Sequence, residues 1–99
     1  MRWTWDESKA RSNRLKHRLS FETAQLVFDD PLAQSKPDLH QAEERWLTLG
    51  LVGNAAIVVV HTWSDHTWPD ADDDDETGRI ISARKATARE RKAYEEGDF

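Results

Sequence analysis

Ninety-nine residues, one-third of them charged and 37% apolar, with a net charge of −5, bound one soluble globular domain. About 60–65% of the unfolded chain's surface can be buried at this size. The lack of cysteine excludes disulfides, thiolate zinc sites and cysteine nucleophiles, and fits a reducing cytoplasm. The charged start of the chain predicts no secretory signal, and no apolar run approaches the roughly 18 residues of a membrane span.

The net charge hides a segregated pattern. Asp70, Asp72, Asp73, Asp74, Asp75 and Glu76 carry the whole negative excess, while residues 1–20 and 79–92 are basic. This predicts a positive working surface beside a negative appendage. The acidic run does not match a calcium loop, whose glycine and closing glutamate would fall on Asp75 and Ile81. Nor do His61 and His66 with these aspartates make a zinc site. No cofactor or metal is expected.

In chain order, residues 2–5 alternate as a short edge strand. Asp6 caps a helix over 7–17, and Ser20 caps a second over 21–28, in which Phe21, Ala24 and Phe28 share a face. Asp29-Asp30-Pro31 ends it, and 35–41 reads as a polar connection. Residues 44–52 alternate, with Leu47, Leu49 and Leu51 opposite Trp46 and Thr48. After the Gly53-Asn54 turn, AAIVVVHTW over 55–63 suits a central strand covered on both faces or paired on both edges. A polar, acidic insertion over 64–78 leads to a third main strand, 79–84. Thr87 and Glu90 form a capping box that starts a last helix through 96. Six cations (Arg79, Arg84, Lys85, Arg89, Arg91 and Lys92) crowd this final strand and helix. The expected fold is a single α+β domain over 1–99, with helices on one face of an antiparallel sheet of three to four strands. Two helices are N-terminal and one C-terminal.

Several motifs in this order carry a resemblance. They are Trp5-Asp6, Lys9-Ala10, Asn13, Lys16-His17, Ser20-Phe21, Ala24, Val27-Phe28-Asp29-Asp30-Pro31, Glu43-Glu44-Arg45 with Gly50, the run Arg79 to Thr87, Arg89-Glu90-Arg91 and Tyr94-Glu95. Over nearly its whole length the chain resembles the BrnT family, the toxin half of a bacterial type II toxin–antitoxin pair. The resemblance implies a compact fold like that of the RelE-type ribonucleases and an RNA-cleaving activity that arrests translation. It also implies a hetero-oligomer with a BrnA-like antitoxin encoded beside the toxin, which carries a DNA-binding segment and represses its own promoter. DNA is then reached only through the antitoxin, and no membrane is involved. Two features depart from the family pattern. The acidic insertion is longer than the usual turn. Arg18 stands where glycine usually follows Lys-His; a left-handed helix end there costs arginine about 1 kcal/mol, unless the helix ends differently.

Metal-independent RNA cleavage needs a base at the 2′-hydroxyl, an acid at the 5′-oxygen and charge stabilisation on the phosphoryl oxygens. Arg84 and Lys85 suit the last role. Arg84 is favoured because its fork matches phosphate and it shares strand parity with Ser82, although both charges could simply solubilise a strand end. Asn13, Lys16 and His17 share a helical face. Lys16 and His17 fit proton transfer and phosphate binding, as well as simple pairing with a helix C-terminus. Glu44 is a candidate base and Arg45 a substrate contact, or the two form a surface ion pair. Arg79, Arg89 and Tyr94 are further substrate candidates, with docking of the last helix as the plainer role for Arg89 and Tyr94. His61 reads as a hydrogen-bonded core residue. A second function class stays open: a catalytically inactive module that tethers a DNA-binding antitoxin.

Overall fold

Local capping starts the helices where the sequence places them. In the computed structural model, which describes residues 2–38, 44–63 and 77–99, the Asp6 carboxylate accepts from the Ser8 and Lys9 amides at 2.8 and 3.2 Å and opens α1, Glu7–His17. Ser20 accepts from the Thr23 amide and opens α2, Phe21–Ala24. The helix expected over 21–28 tightens after one turn into a 3-10 segment, Gln25–Asp29. Thr87 and Glu90 complete the expected capping box at the start of α3, Ala88–Glu96. Among the described residues no helix is long and apolar enough to cross a membrane. Glu43, His66 and the acidic stretch 64–76 lie outside the described residues.

The sheet has five strands: β1 (Arg2–Trp5), β2 (Gln34–Pro37), β3 (Trp46–Val52), β4 (Ala55–Trp63) and β5 (Thr77–Lys85), in the spatial order β1-β5-β4-β3-β2. Two corrections follow. The sheet exceeds three to four strands because the polar stretch read as a connection pairs as β2, from Gln34 opposite Leu49 to Pro37 opposite Trp46. An edge strand tolerates polar residues and a proline at its end. It is also mixed rather than antiparallel, since β1 runs parallel to β5, Arg2 opposite Thr77 and Trp5 opposite Ile80. A bulge between Val60 and His61 leaves Ile81 of β5 without an opposite residue.

β4 is central, and its unbroken apolar run reflects cover on both sides. Ile57 and Val59 pack with Ile80, Ala83, Phe21, Ala24 and Val27 under the N-terminal helices. Ala56 and Val58 pack with Leu49 and Tyr94 on the other face. The helices therefore divide between the faces, correcting the one-sided expectation: α1 and α2 cover one, α3 the other. Each large side chain fully buried here (Phe21, Leu49, Ile57, Ile80) contributes about 1.5–3 kcal/mol. Gly78 lies under Trp3, where a Cβ would come 2.2 Å from the indole ring. This close approach lets Trp3 stack on Phe28, centroids 3.9 Å apart.

The end of α1 is built as if position 18 were glycine. Arg18 takes φ 55° and ψ 37°, and its amide donates to the Arg14 carbonyl at 2.9 Å. Among the described residues it is the one non-glycine with positive φ. Arg18→Gly should stabilise the domain by about 0.5–1 kcal/mol, the strain relieved exceeding the entropy that glycine adds to the unfolded chain. Urea unfolding of the two proteins measures this directly.

Candidate functional site

β1 covers the edge of β5 only as far as Ile80, and α1 takes over where it stops. The buried Asn13 side chain makes the join: Nδ2 donates to the Leu19 carbonyl at 3.0 Å, and Oδ1 accepts from the Ala83 amide at 3.1 Å. A cleft of about 310 Å³ opens beside this join, lined by Lys9, Ser12, Asn13, Lys16 and His17 of α1 with Ile81 and Ser82 of β5. Two ammonium groups, an imidazole and two hydroxyls thus face one space. Such a set can hold a phosphodiester and move a proton beside it. Asn13 is committed to two backbone partners and serves the cleft by fixing its walls.

The structure brings Lys16 and His17 together here and adds Lys9 and Ser12, which the sequence reading missed. The spacing of Lys9, Asn13 and Lys16 at i, i+4 and i+7 was the available signal. Arg84 sits two residues along β5 from Ser82. Its guanidinium forms a bidentate pair with Glu90, Nη1 to Oε1 at 2.7 Å and Nη2 to Oε2 at 2.9 Å. Hydrogen bonding to Arg84 pulls the Glu90 carboxyl down to about 2, and the same bond raises Arg84 above its usual value. With both groups partly exposed, the pair contributes about 1–2 kcal/mol after solvent screening. A phosphate approaching Arg84 competes with this carboxylate.

The remaining candidates lie elsewhere. Lys85 is exposed at the end of β5 and lines a second cavity with Arg91. Glu44 is exposed just before β3, where the carbonyl of the neighbouring Arg45 accepts from the Asp38 amide at 2.8 Å. Arg79 stands opposite Thr62 on β5, and Arg89 is exposed on α3. Tyr94 is buried, and its hydroxyl donates to Asp30 Oδ2 at 2.6 Å, which pushes the phenol up to about 12. Burial raises the Asp30 carboxyl, but hydrogen bonds from Tyr94 and the Leu51 and Leu32 amides outweigh it and hold the group below its usual range. His61, read as a core histidine, is fully buried. Among the described residues no group of three or more metal-ligating side chains is gathered.

Fold and cleft together define a small α+β protein with a basic cleft between its first helix and the edge of its sheet. The model of the family described as the ribonuclease toxin, BrnT, of type II toxin–antitoxin systems matches residues 5–90, and the chain belongs to that family. No curated protein matches it.

Proposed function

We propose that this chain is an endoribonuclease that cleaves RNA without a metal ion, arrests translation, and is neutralised by a BrnA-like, DNA-binding antitoxin. The observation that carries the reading is the cleft of Lys9, Lys16 and His17 against Ser82, within the span matched by the family. His17 is the proton-transfer group. Lys9 and Lys16 hold the scissile phosphate and stabilise charge developing on its oxygens. Arg84 adds its fork from the adjoining stretch of β5 once Glu90 yields it. Glu44, Arg45, Arg79 and Arg89 lie outside the cleft and take no part in this reading. Tyr94 acts through the fold.

The bidentate pairing of Arg84 favours a second reading, the inactive module that binds antitoxin. Induction of the chain alone separates the two. The enzyme halts growth and degrades cellular RNA, and co-expression of the neighbouring antitoxin gene reverses both effects. His17→Ala and Arg84→Ala should each abolish arrest while circular dichroism shows an intact fold. Normal growth with abundant folded protein would establish the inactive module. Unfolding of Arg84→Ala would assign that residue to the strand-to-helix junction.

A further inference from the structure

At the far end of β5 a cavity of about 440 Å³ lies between the β3–β4 hairpin and the start of α3. Its charged walls are Lys85 and Arg91, and its floor is apolar, from Val52, Ala55 and Ala86, with Asn54 at the rim. Arg91 is positioned there by two exposed contacts, Nη1 donating to the Asn54 carbonyl at 3.4 Å and Nε facing Glu95 at 3.6 Å. A solvent-exposed pair of this kind is weak and screened by water, so an arriving phosphate displaces it readily. The N-terminus of α3 is already occupied by its own capping box and takes no part.

Position along the sheet links this cavity to the cleft. Ser82 lines one and Lys85 the other, and three residues of strand separate them by about 10 Å. We propose that the cavity is a flanking-nucleotide subsite, in which Lys85 and Arg91 hold a backbone phosphate of single-stranded RNA while the apolar floor takes the adjoining sugar or base. One strand of RNA then passes round the end of β5 from the α1 side of the sheet to the α3 side, cut in the α1 cleft and gripped at Lys85 and Arg91. This rests on the ribonuclease reading and adds to it a second contact that sets how long a substrate must be. Two cations over an apolar floor match a nucleotide, which carries its charge on one side and a flat apolar face on the other.

The test is fluorescence anisotropy with single-stranded RNAs made uncleavable by 2′-O-methylation, across a range of salt. For an oligomer long enough to reach both clefts, Lys85→Ala with Arg91→Ala should weaken binding and reduce the salt slope of log K by about 0.7, one phosphate contact's worth. A dinucleotide should bind the double variant and the parent equally. Arg11→Ala with Arg14→Ala removes the same charge from exposed positions outside both clefts and should leave the slope unchanged. An unchanged slope for Lys85→Ala with Arg91→Ala, beside a parent that binds RNA, would overturn the subsite alone. So would loss of antitoxin binding with RNA binding retained, which would make the cavity a protein contact. A parent that binds no RNA at any salt would overturn the subsite together with the ribonuclease reading.

Discussion

Between pH 6.5 and pH 4 the domain should lose about 3 kcal/mol of stability through one imidazole, that of His61. The ring is fully buried, edge-on to Trp3, Phe28 and Trp63 with centroids 5.1, 4.9 and 4.7 Å away. Nδ1 lies 3.3 Å from the Thr62 carbonyl, which can only accept, so Nδ1 carries the proton. Nε2 then accepts from the Thr48 hydroxyl at 2.6 Å, which in turn accepts from Ser35 at 2.7 Å. A second ring proton would turn an acceptor into a donor inside an apolar cage, and burial lowers the pKa to about 4. In this window the unfolded chain binds a proton that the folded chain refuses, so stability falls as the pH falls, and the loss is complete below pH 4. Glu90 and Asp30 act lower. Their depressed carboxyls lose stability only as the pH drops below their ordinary range, toward about 2 for Glu90. Urea unfolding at a series of pH values reads the slope, and His61→Gln should flatten its upper part.

Asn13→Ala should cost about 3 kcal/mol and lower the melting temperature by roughly 15 °C. The substitution leaves the Leu19 carbonyl and the Ala83 amide buried without partners, and each carries a desolvation penalty of about 1–3 kcal/mol. Asn13→Asp removes the donor alone. Its carboxylate still accepts from Ala83, but its second oxygen is buried against the Leu19 carbonyl with no proton to donate, so it should recover little of the lost stability. Because Asn13 sets α1 against β5, both variants should also lose toxicity faster than they lose secondary structure. Thermal melts and growth after induction check the two effects separately.

Much of this was legible in the sequence, and the failures have physical causes. Asp6, Ser20 and Thr87 announced three helix starts, because capping depends on neighbours a few residues away. The alternation of 46–52 and the apolar run of β4 announced their strands, because side-chain parity is local. β2 was missed because an edge strand needs little apolar patterning, and the parallel pairing of β1 because register to a distant strand leaves no local mark. The same limit governs the site. Glu90 was legible as a capping residue, yet nothing in its spacing showed that Oε1 would take both the Thr87 amide and Arg84. Tyr94 was legible as a docking residue for the last helix, but its acceptor, Asp30, was not, being 64 residues away.

The joining of β1 and α1 to β5 also carries a consequence for synthesis. Arg2 pairs with Thr77, and Asn13 reaches Ala83 across 70 residues, so the two walls of the cleft come from segments far apart in the polypeptide. The strands from β2 to β5 can form in sequence as they emerge, but α1 has no edge to cover until β5 has been made. Such long-range closure is slow and comes late in folding. A ribosome making this protein therefore carries no assembled cleft until β5 has left the exit tunnel.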